Sequence, residues 1–294
     1  MHAPVWPADV AYVSSTGNDA NSCTAAQPCG TIGGAFSSLP GLNGQIFCLN
    51  SPGYSETGAG FAASGMSLTI DCAGEIEVTQ ANFGGLDLFG PNEVVKIRNL
   101  TISGTGGGYP AIKIEGSGTL ILENCVFENF AGTAFDIEPT GALNLVVKNS
   151  RVSNNAAAGV LIKPAAGGSV TATFDGVTIT NTAGGLRTDS TNGAVRVDIT
   201  NSTISNNANN GLIALGGAGG QNMVSVRNDV IASNSQAGIE ASGGNAAVLV
   251  NNTLLDSNTG GALQAVSGGR ILTYQNNSTI GSPGTGFTGT ASPN

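Results

Sequence analysis

Charged side chains recur two positions apart in successive segments of the chain. They are Lys113 and Glu115, Asp136 and Glu138, Lys163, and then Arg187 and Asp189. Residues two apart on a strand share one side of it, so stacked strands would gather these side chains on a single surface, which we call the charged face. One interpretation is a Ca²⁺ or saccharide site with Glu115, Asp136 and Glu138 as ligands and Lys113 or Lys163 as candidate bases. The pattern is equally typical of opposite charges that pair across strands and keep an outer surface soluble.

A repeat of about 25 residues supplies the strands that would position these side chains. Similar segments begin at Asn99, Asn124, Asn149, Gly176, Asn201, Asn228, Asn252 and Asn277. Apolar residues alternate with polar ones around each start, as half-buried strands require. Such short strands cannot bury an apolar face alone, but stacked coils can. The repeat therefore predicts a parallel β-solenoid with three short strands per coil, and the regular frame of a leucine-rich repeat is absent.

Asparagine begins seven of these eight segments, and its chemistry suits a sharp bend. It tolerates left-handed backbone, and its amide can bond to the amide one coil away, about 4.8 Å along the stack. We therefore predict that the seven asparagines form one internal ladder, buried within the solenoid.

The cysteines fit the same register. Cys48 and Cys72 fall at the ladder position 24 residues apart, and stacked neighbours lie within the Cα range of a disulfide. We predict the pairs Cys48–Cys72 and Cys23–Cys29, with Cys125 as a buried thiol. The alternative is that the four behave as small hydrophobic residues. The pairing favours an oxidising compartment.

Charge and composition exclude other classes of function. The chain has 10 basic and 19 acidic residues and a net charge of -9, without a basic run, which argues against nucleic-acid and anionic-membrane binding. No apolar stretch is long enough to span a membrane. The one histidine, His2, lies in the leader, so histidine-based catalysis and histidine metal sites are not expected.

The coils with their asparagine ladder resemble the right-handed parallel β-helix of the pectin-lyase-like superfamily, over roughly residues 40–282. The opening resembles the N-terminal segment of secreted bacterial right-handed β-helix repeat proteins, through Tyr12, Val13, Ser14, Gly17, Asp19, Cys23, Pro28, Cys29, Thr31 and Ile32. The resemblance implies an all-β fold with a leader and cap over 1–39, nine to ten coils over 40–282, and a flexible tail over 283–294. It also implies a secreted, cell-surface or periplasmic location.

The resemblance indicates the fold more clearly than it indicates a function. The Gly-His-Gly, Arg-x-Lys and Asp-Pro-His-Glu motifs of related enzymes are missing. We expect a module that binds polysaccharide or a partner surface and requires no cofactor, with Tyr54, Tyr109 and Arg187 as candidate binding residues. One alternative is a Ca²⁺-assisted lyase acting on acidic polysaccharide, since that chemistry needs only a base and carboxylate-held Ca²⁺. Another is a purely structural or self-associating surface protein. The sequence assigns no oligomeric state.

Overall fold

The computed structural model describes residues 9–41, 43–50, 54–56, 61–63, 67–78, 86–88, 93–104, 110–282 and 286–291. Only the backbone is described for 54–56, 61–63, 73–78 and 86–88. One short helix, α1 (Ile32–Ser37), precedes the coils. All other regular structure within those ranges consists of β-strands in two sheets.

Across the ranges that the structure describes, the first sheet contains twenty strands. They are β1 (Asp9–Val13), β2 (Asn43–Cys48), β3 (Tyr54–Glu56), β5 (Ser67–Val78), β7 (Glu93–Gly104), β9 (Gly118–Glu123), β10 (Val126–Glu128), β12 (Ala142–Lys148), β13 (Arg151–Ser153), β15 (Ser169–Asp175), β16 (Thr178–Thr180), β18 (Ala194–Thr200), β19 (Thr203–Ser205), β21 (Asn222–Arg227), β22 (Val230–Ala232), β24 (Ala246–Asn251), β25 (Leu254–Asp256), β27 (Arg270–Thr273), β28 (Ser278–Ile280) and β29 (Gly289–Thr290).

In the described part of the chain, the second sheet contains nine strands. They are β4 (Phe61–Ala63), β6 (Leu86–Leu88), β8 (Ile112–Ile114), β11 (Phe135–Ile137), β14 (Ala158–Ile162), β17 (Gly184–Asp189), β20 (Leu212–Leu215), β23 (Ile239–Ser242) and β26 (Leu263–Val266).

Each coil runs through a long strand, a first bend, a short strand, a second bend and a third strand. In one coil these strands are β12, β13 and β14, each paired in parallel with its counterpart in the next coil. The predicted all-β parallel solenoid is thus confirmed. Within the described residues, the nine strands of the second sheet span about eight full turns, slightly fewer than the nine to ten coils predicted.

The core is the column of inward side chains along each strand. The predicted inward residues of the third strands are all buried: Ile112, Phe135, Val160, Leu186, Leu212, Ile239 and Leu263. Phe127 and Phe135 meet edge to face with ring centroids 4.7 Å apart, a favourable geometry for buried aromatic rings. Because each coil covers the apolar interior of the next, the core is continuous along the stack.

The asparagines of the first bend stand in one file, as predicted, but they face outward. Asn124, Asn149 and Asn201 have φ of 57°, 47° and 53° and are exposed. Some of these amides bond between coils, as Asn252 does to Asn228 at 2.9 Å. The predicted burial of this ladder is therefore wrong. Left-handed backbone turns the asparagine side chain outward and sends the following residue, such as Ser150 (4% exposed), into the interior.

The internal ladder lies one bend later. It contains Asn155, Asn207, Asn234 and Asn258, each at most 3% exposed. The Nδ2 of Asn207 donates to Oδ1 of Asn234 at 2.9 Å, and Nδ2 of Asn234 donates to Oδ1 of Asn258 at 2.9 Å. Among the described residues, Asn155 Nδ2 finds no acceptor, because the amides of this ladder donate to the next coil, where Thr182 occupies the equivalent position. The chain of amide–amide bonds therefore runs from Asn207 to Asn258.

Asn277 also departs from its predicted place. Leu254 of β25 pairs with Ser278 of β28, so Asn276 is the register equivalent of Asn252. Asn277 occupies the next, inward position, where its Oδ1 accepts from the backbone N–H of Thr253 at 2.8 Å. Asn276 and Asn277 both fit a period of about 25 residues, and only the pairing of β25 with β28 shows which of them aligns with Asn252.

The disulfides match the sequence prediction. Cys23 bonds to Cys29 and Cys48 to Cys72, and Cys125 is a buried thiol. Thr31 caps α1 by accepting from the N–H of Gly34 at 2.9 Å. The helix buries Ile32 and Ala35 against the first coil. At the other end, within the predicted tail, β29 pairs with β27.

One buried acid makes the stability of the stack depend on pH. Asp229 is 2% exposed, and its two oxygens accept from the N–H groups of Ser202 and Arg227, both at 2.7 Å. Burial raises its pKa to about 6, although these hydrogen bonds and the charge of Arg227 act in the opposite direction. The folded protein therefore holds this proton more tightly than the unfolded chain.

We expect the Asp229 contribution to the free energy of unfolding to fall as pH rises from about 4 to about 6, by up to about 3 kcal/mol. At pH values well above 6, Asp229 is ionised in both the folded and the unfolded protein, so its contribution to the free energy of unfolding no longer changes with pH. Asp229→Asn, which does not titrate, should remove this part of the slope. Urea unfolding of both proteins between pH 4 and 8 measures it. An unchanged slope in the variant would contradict the assignment.

Candidate functional site

The second sheet brings most of the charged face together. Asp136 of β11 pairs in register with Lys113 of β8, and its other neighbour is Leu161 of β14. Glu115 and Glu138 follow β8 and β11 directly, and Lys163 follows β14. All five charged side chains are half-buried. The side-chain direction predicted from the spacing of two is therefore observed.

Asp136 is the electrostatic centre of this cluster. Burial and then the charge of Glu138 raise its pKa, with Glu115 adding to the shift, while Lys113 and Lys163 oppose it. The Nζ of Lys113 lies 2.6 Å from Oε1 of Glu115 in an ion pair. The face thus mixes close opposite charges with one carboxyl group whose proton affinity is increased.

The predicted Ca²⁺ ligands do not form a metal site. Within the described part of the chain, no three acidic, histidine or cysteine side chains converge closely enough to hold a metal ion. One of the three predicted ligands, Glu115, is committed to Lys113. Glu115, Asp136 and Glu138 as arranged therefore do not fit Ca²⁺, which takes six to eight oxygen ligands.

The spacing of two predicts that Arg187 and Asp189 both point to the surface, but only Arg187 is well exposed. The Arg187 side chain is 47% exposed, whereas that of Asp189 is only 8% exposed, and Nη2 and Oδ2 are 3.5 Å apart. Burial opposes the ionisation of Asp189, but hydrogen bonds from Thr191 and Arg187 outweigh it and lower the pKa. Asp189 is therefore a buried carboxylate next to the Arg187 guanidinium, and it adds little negative charge to the exposed surface. Among the other candidates, Tyr109 and the Tyr54 side chain lie outside the described residues.

Beside Arg187 the surface sinks into a hollow of about 270 Å³, which we call the Arg187 hollow. Its walls include Ala183, Gly184, Asn209, Asn210 and Ile213. It adjoins, through Ala183, a groove of about 600 Å³ along the second bends, where Asn181 and Asn206 are exposed. A third depression of about 590 Å³ lies at the start of the long strands, beside Thr119, Asn144 and Thr171.

These hollows were not predicted from the sequence. The signals were present in the paired glycines of AGGLRT and the paired asparagines of ANNGL. Their meaning depends on which residues of adjacent coils become neighbours, and that requires the strand register.

The fold and the sequence together define the protein family to which the chain belongs. The sequence matches the right handed beta helix region over residues 59–198 and 185–293, so the chain belongs to the right-handed β-helix family. Among proteins with curated descriptions, none matches it by sequence.

Several solved structures share the architecture. A pectate lyase, Pel9A, is 16% identical with a TM-score of 0.63, covering 97% of this chain and 78% of its own. A rhamnogalacturonan lyase is 13% identical with a TM-score of 0.59, covering 90% of this chain and 75% of its own. The A-module of the Azotobacter vinelandii mannuronan C-5 epimerase AlgE4 is 12% identical with a TM-score of 0.51, covering 86% and 91%. At these identities the likeness concerns the fold alone.

Proposed function

We propose that the chain is an exported β-helix module that binds polysaccharide through the charged face and the adjoining Arg187 hollow. The observation that carries this proposal is the juxtaposition, on one sheet, of the cations Lys113, Lys163 and Arg187 with an amide-lined depression. Rungs about 4.8 Å apart present similar polar groups at regular intervals, which suits a polymer of repeating units. The polysaccharide-acting proteins that share the fold support this choice of ligand class.

Export is supported by the two disulfides, because disulfides persist in oxidising compartments. As a separate finding, no helix in the described part of the chain is long and apolar enough to cross a membrane.

A specific binding test uses two lysines on different faces. Lys163→Ala removes a cation from the charged face, whereas Lys148→Ala removes an exposed one at the end of β12, in the first sheet. We expect Lys163→Ala to weaken binding to the preferred acidic polysaccharide by about tenfold and Lys148→Ala to leave it within about twofold. Affinity electrophoresis against acidic and neutral polysaccharides measures both. If both variants lost the same amount of affinity, the polysaccharide would not bind at the charged face.

A second candidate is a lyase, because Lys113 and Lys163 lie on the same face as Asp136, and the neutral amine of either could remove a proton from bound sugar. Ultraviolet absorbance of unsaturated products, abolished by Lys113→Ala or Lys163→Ala, would establish it. Binding without such products favours the module. A concentration-dependent oligomer with no glycan binding would favour the structural role.

A further inference from the structure

We propose that the Arg187 hollow is a subsite for a single sugar unit that carries one anionic group. This inference rests on the proposed polysaccharide binding and deepens it, since it names the kind of sugar and its place on the molecule. The shared chemistry is a carboxylate or sulfate group on a pyranose ring.

Gly184 lines the hollow and, having no side chain, leaves that part of it open. A Cβ at Gly184 would meet nothing within 4 Å, and its φ is not positive. The next residue, Gly185, is different, since a Cβ there would lie 2.6 Å from Cγ2 of Ile204 and against the backbone oxygen of Gly211. Packing therefore explains Gly185 but not Gly184. Glycine within a strand is less favourable than alanine, and at Gly184 its effect is to leave open space beside Arg187.

Arg187 is positioned to pair with an anion in that space. Its contact with Asp189 is 3.5 Å, longer than the roughly 2.7–2.9 Å of a strong charge-assisted bond. Among the described residues no other acceptor engages its guanidinium, which leaves most of its planar donors available. Its register neighbours are Leu161 and Ile213. These half-buried aliphatic side chains flank Arg187 and bring no competing charge to an anion bound at its guanidinium.

The remaining walls match a sugar ring. Asn210 is held rigidly, because its Oδ1 accepts from the N–H of Ala237 at 3.0 Å and its Nδ2 donates to Glu240 at 2.7 Å. The backbones of Glu240 and Arg187 are two rungs apart, about 10 Å, and the Glu240 carboxylate is engaged by Nδ2 of Asn210. Asn209 is exposed and offers an amide to hydroxyl groups. A volume of about 270 Å³ lies below the range typical of drug-sized ligands, which suits one monosaccharide unit.

The test fills the hollow without touching Arg187. Gly184→Val places methyl groups in the open space, and Gly244→Val is the matched control, since a Cβ at Gly244 also meets nothing within 4 Å. Arg187→Lys is the second variant, because it keeps the charge and removes the planar pair of donors. The probes are glucuronic acid, glucose 6-sulfate and neutral glucose. Binding is followed through the NMR signals of the arginine side chains and of the Asn209 and Asn210 amides.

We expect the wild type to bind at least one anionic sugar in preference to glucose, with the arginine and amide signals shifting together. Gly184→Val and Arg187→Lys should each weaken that binding by about tenfold, while Gly244→Val should retain it. The response to the uronate or to the sulfate identifies the anionic group.

Three results would overturn the subsite: equal binding of glucose, undiminished binding by folded Gly184→Val, or shifts confined to other regions. Polysaccharide binding by the wild type would stand in each of those cases. Conversely, binding of the anionic sugars at the hollow without retention of any polysaccharide would keep the subsite and overturn the proposed function.

Discussion

Asn234→Ala should destabilise the protein by about 3 to 5 kcal/mol, because it removes the centre of the internal ladder. The Oδ1 of Asn234 accepts from Nδ2 and the backbone N–H of Asn207, at 2.9 and 3.2 Å. Its Nδ2 donates to Asn258 and to the carbonyl of Ile204. Alanine would leave these buried groups without partners, and water cannot reach them. Urea unfolding followed by circular dichroism measures the loss.

The control for this variant lies at the same bend of the preceding coil. Asn206 is exposed with φ of 57°, and its side chain makes one contact of 3.4 Å with Ser205. Asn206→Gly should change stability by no more than about 0.5 kcal/mol, since glycine adopts this backbone conformation readily. If the two variants lost similar amounts of stability, the distinction between outer and inner asparagines would be wrong.

Gly185→Ala should cost about 3 kcal/mol, because the added methyl group enters the contact between adjacent coils. The obstacles are the backbone oxygen of Gly211 and the Cγ2 atom of Ile204, which lies 2.6 Å from the position that the alanine Cβ would take. The Gly211 oxygen accepts from the N–H of Leu186 at 2.9 Å, so it cannot move aside without breaking a bond between β17 and the next coil. The φ of Gly185 is not positive, so the expected loss is steric and not conformational.

Gly184→Ala makes the same change one residue earlier, where the methyl group meets nothing within 4 Å. It should leave stability unchanged or raise it by up to about 1 kcal/mol. Thermal unfolding of both variants tests the pair. Comparable losses would show that Gly184 is required for folding, and the open space at the Arg187 hollow would then need no functional explanation.

Much of the fold follows from local sequence, because a repeat of alternating apolar residues has few ways to bury its apolar face. The inward residues Phe135 and Leu186, the pairing of Cys48 with Cys72 and the clustering of Asp136 with Lys113 were all predictable from spacing. In each case the period alone determines which residues become neighbours one coil away.

Only the tertiary structure decided which side of each bend faces inward. Asn154 and Asn155 are equivalent by composition, yet left-handed backbone at Asn154 turns its side chain to solvent and the next one into the core. The Arg187 hollow likewise depends on the empty space above Gly184 and on side chains from the next coil. Spacing along one chain determines which positions align. The direction of a bend and the shape of a surface depend on contacts between coils, which the sequence does not order by itself.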